Sequence, residues 1–173
     1  MSKVPLYIVT GAGGAGKTYV IHSLRKIMPE YDILDYDGIF QFLKDDAGKV
    51  DKHQIQNIWL RVAQDIAESG RITILCGLIK PEDIAACKYV NYFSRVDYLI
   101  LHCDDITREK RLYERKKMTS NKVKYIKKLA KWFIEISAQY DPPIPIIDTS
   151  EIGVTEVAEQ IRDWIYEQNR RNV

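Results

Sequence analysis

The sequence predicts a single α/β domain, a parallel sheet with helices on both faces. Three observations carry that expectation. Short apolar, β-branched runs alternate with longer segments of helical period, the order expected of successive βαβ units. The run Ile72–Cys76 is apolar throughout, as a strand covered on both faces must be. The chain has 173 residues, an ordinary length for one domain, and no linker, repeat or low-complexity tract divides it.

The elements follow in order. Leu6–Thr10 reads as the first strand, Gly11–Gly16 as a loop, and Lys17 to about Met28 as a helix stopped by Pro29. A second strand covers about Asp32–Asp35 and ends in Tyr36-Asp37-Gly38. From about Asp51 to Ser69, Ile55, Ile58, Trp59, Val62, Ala63 and Ile66 recur at three-and-four spacing on one helix face, and Gly70 closes that helix. Ile72–Cys76 is the third strand, ended by Gly77, and Pro81 opens a further helix. The fourth strand is about Asp97–His102, and Asp104 or Asp105 caps a charged helix reaching about Lys117. A helix over about Lys122–Gln139 is broken by Asp141-Pro142-Pro143. Pro145–Asp148 is the fifth strand, and an amphipathic helix runs from Val154 to about Asn169.

Composition narrows the class. Hydrophobic residues make up 46% and charged residues 29%, a globular profile. A net charge of +2 is too small to imply nucleic acid by itself. Cys76, Cys87 and Cys103 form no CxxC pair, which argues against a zinc knuckle or a disulfide framework. His22, His53 and His102 are scattered and read as structural. The segment Met1–Pro5 lacks a signal-peptide pattern, and the apolar run Leu6–Val9 is far too short to span a bilayer, so a cytoplasmic protein is expected.

The sharpest signal is Gly11-Ala12-Gly13-Gly14-Ala15-Gly16-Lys17-Thr18. It fits the phosphate-binding pattern G-x-x-x-x-G-K-[ST] (Walker A) at every fixed position, between a strand and a helix. Its glycines bring backbone amides against phosphates, and the helix N-terminus adds partial positive charge. Lys17 is expected to reach the β- and γ-phosphates, and the Thr18 hydroxyl to ligate Mg²⁺. This implies a nucleoside triphosphate.

Two acids follow the second strand. By strand alternation Asp35 and Asp37 point the same way at the carboxyl end of the sheet, where open α/β sheets bind ligands. One carboxylate would hold Mg²⁺ through water and the other would accept a proton from an attacking hydroxyl. A phosphate acceptor calls for arginines, and the segment 38–70 offers only Arg61. A hydroxyl acceptor is favoured.

From Arg108 to Lys131 the chain carries eleven cations, Arg108, Lys110, Arg111, Arg115, Lys116, Lys117, Lys122, Lys124, Lys127, Lys128 and Lys131, against Glu109 and Glu114. Arg108, Arg111 and Arg115 share one helix face. That face would close over a triphosphate or contact a nucleic-acid backbone. Leu99–Asp104 has the look of an apolar strand ending in an acid, but Asp104 and Asp105 read as helix caps.

Taken in order, these motifs resemble the P-loop small-molecule kinases, the group of nucleoside, nucleotide-monophosphate and shikimate-kinase-like enzymes. The resemblance rests on Gly11–Thr18, Asp35-x-Asp37, Gly77, Arg108-x-x-Arg111-Leu112-x-x-Arg115 and Ile147-Asp148-Thr149-Ser150. Trp59 and Leu75-Cys76-Gly77 bring it nearest an uncharacterised subgroup. It implies a P-loop NTPase fold: three α/β/α layers around a five-stranded parallel sheet in order 2-3-1-4-5. The arginine-bearing segment, about 108–125, would begin a lid, with Arg108 near the adenine and Arg115 near the transferring phosphoryl group. The loop Ser150–Thr155 would border the base. The chain departs from the pattern in ending strand three with Cys76-Gly77 rather than an acid.

The resulting expectation is an ATP- and Mg²⁺-dependent kinase of a small hydroxyl-bearing acceptor. Lys17 stabilises the transferring group, Thr18 and Asp35 hold Mg²⁺, Asp37 is the base and Arg115 a lid cation. A nucleoside monophosphate kinase, a nucleic-acid 5′-hydroxyl kinase and a non-catalytic nucleotide sensor are the alternatives.

Overall fold

The structure is a computed structural model that describes residues 3–44, 48–115 and 118–171. Lys116 and Lys117, part of the basic run and of the expected lid, lie outside the described residues.

Five strands, β1 (Leu6–Thr10), β2 (Tyr31–Asp35), β3 (Ile72–Cys76), β4 (Val96–His102) and β5 (Ile146–Asp148), form one sheet in order β2-β3-β1-β4-β5. All four ladders are parallel. The register sets Ile8 of β1 between Leu75 of β3 and Tyr98 of β4. All five carboxyl ends therefore open on one edge, and the central strand β1 is completely buried.

Helices α1 (Lys17–Ile27) and α6 (Val154–Arg171) cover one face of the sheet. Val20, Leu24, Ile161 and Ile165 pack there against Tyr7, Val9 and Leu99. The other face is covered by α2 (Lys52–Glu68), α3 (Pro81–Ala85) and α5 (Ser120–Ser137). Ile55, Leu60 and Ala63 sit over Leu6 and Ile8, and Phe133 and Leu129 over Ile100. Each such buried leucine, isoleucine or phenylalanine contributes roughly 1.5–3 kcal/mol relative to exposure.

Three segments differ from expectation. Tyr36-Asp37-Gly38, expected as a strand end, opens a 3-10 helix, Tyr36–Phe42. Its N-cap is Asp35, whose Oδ1 accepts the Asp37 amide at 3.1 Å. Helix α4 (Asp105–Tyr113) stops short of Lys117, because no apolar residue recurs beyond the buried Leu112 to hold another turn down. Helix α5 begins at Ser120, two residues earlier than expected, where Thr119 caps it. Asp104, not Asp105, caps α4 by accepting the Thr107 amide at 2.8 Å.

Candidate functional site

The loop Gly11–Gly16 joins β1 to α1, and its conformation explains its glycines. Gly11, Gly14 and Gly16 have φ values of 144°, 82° and 92°, the left-handed region. A Cβ on Gly11 would stand 2.2 Å from the Leu101 carbonyl oxygen. Gly13 has no positive φ; its missing side chain makes room for Ile126 of α5.

Every carbonyl of this loop accepts a hydrogen bond. Lys17 Nζ donates to Gly11 O at 2.6 Å and Ala12 O at 3.0 Å. Arg108 Nη1 donates to Gly13 O at 2.6 Å. Arg111 Nη1 reaches Gly14 O at 3.1 Å, and the Thr149 hydroxyl reaches Ala15 O at 3.2 Å. Gly16 O takes the first α1 amides, from Tyr19 and Val20. With the carbonyls so engaged, the loop presents amides and a helix N-terminus to the cleft, an arrangement suited to anions.

Lys17 is 8% exposed, and burial lowers its pKa to about 8, with the Asp37 carboxylate opposing that shift and the Arg115 and Arg108 guanidiniums adding to it. Thr18, beside it, is exposed. Asp37 is exposed, yet the surrounding protein desolvates its carboxylate enough to raise its pKa from the usual carboxylate value. Lys17 pulls that value back, Asp35 pushes it up and Arg115 lowers it. The fields of Lys17, Asp35, Asp37 and Arg115 thus meet at the loop mouth.

What brings the acids there is not strand alternation. Asp37 lies in the 3-10 helix, and Asp35 turns the chain by capping it. Trp59 fixes this turn from α2, its Nε1 donating to Tyr36 O at 3.0 Å. The buried Tyr36 side chain occupies the space that a side chain at Gly77 would fill, its Cβ 2.4 Å and its Cγ 3.0 Å from such a Cβ. Cys76 at the end of β3 is fully buried, and its thiol is pushed up to about 12, so it stays a protonated thiol and replaces the absent acid only sterically.

A cavity of about 280 Å³ lies on the α6 side of the loop. Gly14, Gly16, Tyr19, Arg111, Ile152 and Val154 are among its walls. Arg115 and Glu114 also border it. Ile152 and Val154 belong to the loop Ser150–Thr155, which the kinase resemblance implies beside a base. Arg108 does not. It is completely buried, with Nη2 donating to Cys103 O at 2.7 Å, so it presents no face for an adenine to stack on. Arg111, one turn further on, takes the wall position, pinned by its bonds to Gly14 O and to Thr149 O at 2.6 Å. Tyr19 and Thr149 also escaped sequence reasoning as cavity residues; only the chain order after Thr18 and after β5 hinted at them.

Among the described residues no three His, Cys, Asp or Glu side chains converge on one point, so no all-protein metal cage exists there. Mg²⁺ keeps several waters and shares phosphate oxygens, so it needs no such cage, and the exposed Thr18 hydroxyl is an oxygen donor of the type it takes.

Shikimate kinase from Acinetobacter baumannii, in complex with shikimate, matches over 96% of this chain and 95% of its own, with TM-score 0.66 and 17% identity. The fold is that of the P-loop small-molecule kinases. A tunicamycin resistance protein from Deinococcus radiodurans matches at TM-score 0.69 and 18% identity, over 95% and 96% of the two chains. A gluconokinase from Sinorhizobium meliloti 1021 gives 0.60 and 14%, over 97% and 99%. No family model matches the sequence, and no curated protein matches it either. The P-loop kinase fold accounts for the five-stranded order and the loop at the end of its central strand. Among the described residues no helix is long and apolar enough to cross a membrane.

Proposed function

We propose that the protein is an ATP- and Mg²⁺-dependent phosphotransferase that moves the γ-phosphoryl group to a small hydroxyl-bearing acceptor, a nucleoside being one such molecule. The observation that carries this reading is Asp37, a carboxylate of raised pKa facing Lys17 and Arg115 at the mouth of the phosphate loop. A base of raised pKa is matched to an alcohol proton. Two cations beside it suit the charge that spreads over a transferring phosphoryl group.

In this reading the loop amides and Lys17 bind the triphosphate, with Lys17 leaving the Gly11 and Ala12 carbonyls for the β- and γ-oxygens. The cavity bordered by Arg111, Tyr19 and Val154 takes the nucleoside. Thr18 and Asp35 hold Mg²⁺, which supplies charge neutralisation when bound. The acceptor oxygen forms a bond to the γ-phosphorus as the bond to the bridging oxygen breaks. Asp37 takes the acceptor proton, and ADP leaves with the bridging oxygen's electron pair. Arg115 stabilises the equatorial oxygens.

A basic, aromatic surface gives the nucleic-acid reading its own support. Lys122, Lys124 and Lys128 of α5 are exposed with no carboxylate within 4.0 Å among the described residues, and Tyr125 beside them is 63% exposed.

The test is ADP release from Mg-ATP with nucleosides, nucleoside monophosphates, small alcohols and 5′-hydroxyl oligonucleotides, alongside Lys17→Ala and Asp37→Asn. Stimulation by an alcohol or nucleoside, lost in both variants, is the expected result. Stimulation by monophosphates or oligonucleotides alone transfers the assignment to that acceptor. ATP binding without acceptor-dependent turnover refutes phosphotransfer to these classes.

A further inference from the structure

Among the described residues Arg108 heads the large side chains with no solvent exposure. A guanidinium is charged at every physiological pH, and burying it without a counter-ion is costly. Among the described residues no carboxylate lies within 4.0 Å of it, although such pairs form elsewhere, at Arg71–Asp32 and Arg95–Asp97. Its partners are the carbonyls of Gly13 and Cys103, with the neutral His102 Nδ1 at 3.4 Å from Nη2. His102 supplies no negative charge, an imidazole being neutral or cationic, and burial and Arg108 itself favour its neutral form. Among the described residues Nε of Arg108 has no hydrogen-bond partner.

This uncompensated cation sits directly behind the phosphate loop. Its Cγ lies 3.1 Å from where a Gly14 Cβ would stand, and its guanidinium holds the Gly13 carbonyl. Its field reaches the cleft, since it helps to lower the Lys17 pKa. A field that disfavours a cation at that point favours an anion there by the same sign. A hydrophobic side chain would fill the space at lower cost in the empty protein.

We propose that Arg108 is a positioning residue for phosphate binding: a buried cation that holds the Gly13 carbonyl away from the cleft and whose missing counter-ion is the bound polyphosphate. The inference rests on the reading of Gly11–Thr18 as a triphosphate site. It predicts that Arg108 weakens the empty protein and strengthens the loaded one, the opposite of a residue kept for packing.

The experiment compares Arg108→Met, Arg108→Gln and Arg108→Lys with the parent, full chain in each case. Thermal unfolding is measured without ligand, and inorganic tripolyphosphate and Mg-ATP binding by calorimetry. Arg108→Met, neutral and of similar length, is expected to unfold at or above the parent temperature when empty, yet to bind tripolyphosphate at least tenfold more weakly. Arg108→Lys keeps the charge and recovers most of that loss. Where the methionine variant does not fold, Arg108→Gln, which keeps amide donors for the carbonyls but no charge, gives the same affinity loss. A neutral variant that folds and binds tripolyphosphate within twofold of the parent overturns the proposal. So does a lysine variant as weak as the neutral ones. A parent that binds neither tripolyphosphate nor Mg-ATP refutes the nucleotide reading itself and is distinguishable from both.

Discussion

Lys17 ought to pick up a proton when the site fills. In the empty protein burial holds its pKa at about 8. A polyphosphate beside the ammonium favours the charged form and raises that value. Where the bound value exceeds the free one, affinity is at its plateau below the free value and falls, by up to about tenfold per pH unit, above it. With a free value of about 8, Lys17 is about 0.8 neutral at pH 8.5 and about 0.1 neutral at pH 7, which sets the protons taken up on binding. The terminal phosphate is fully ionised at pH 8.5, its second pKa being about 6, and does not contribute there. Calorimetric titration with ATP in buffers of different protonation enthalpy reads the number directly. Most of one proton should be taken up at pH 8.5 and little at pH 7. Lys17→Arg, charged throughout, should show no such difference. Equal proton uptake at both pH values in the parent would refute the reasoning, since Lys17 would then be charged before the ligand arrives.

The remaining predictions share this geometry. If Asp37 is the base, kcat/KM should be bell-shaped, with an acid limb above the ordinary carboxylate range and an alkaline limb near the Lys17 value of about 8; a profile whose acid limb survives Asp37→Asn removes Asp37 from the role. Asp35→Asn keeps an oxygen for the Asp37 amide and should keep stability while raising the Mg²⁺ concentration needed for turnover. Asp35→Ala should lose about 1 kcal/mol as well, read by urea unfolding. Gly77→Ala drives a methyl into Tyr36 and should cost about 2 kcal/mol, with a turnover loss from the displaced acid turn. Trp59→Phe leaves Tyr36 O without its donor and should cost about 1 kcal/mol in the same assay.

Most of the fold was legible because its elements obey simple periods. Ile72–Cys76 could be nothing but a covered strand, and Val157, Ile161 and Ile165 repeat at helical spacing and are buried as that spacing requires. The loop Gly11–Thr18 was legible because several residue types had to coincide. Alternation pointed to Asp35 and Asp37 as one face of a strand, but an aspartate-capped 3-10 turn sets their positions, and a short polar side chain bonding two residues ahead competes well with continued strand. The arginines were harder. Arg108 and Arg111 share a helix face, and spacing alone does not say which one sinks beneath the loop and which lines the cavity. The kinase resemblance put Arg108 near the adenine, and nothing in the spacing warned otherwise, arginine being seldom fully buried. The depth comes from α4 lying tight against Gly13 and Gly14, a tertiary fact.

The five loop carbonyls held by side chains have a consequence for how the chain becomes competent. Lys17 serves the first two, but Arg108, Arg111 and Thr149 serve the rest, and these lie 95, 97 and 134 positions along the chain from their partners. The Walker motif is complete once residue 18 has been made, yet three of its carbonyls lack these side-chain donors until α4 and the residue after β5 have docked. Such long-range contacts form late, after the entropy of closing large loops has been met. Nucleotide binding therefore marks the arrival of the C-terminal half. A chain that stops before α4 carries the entire motif and should bind no ATP.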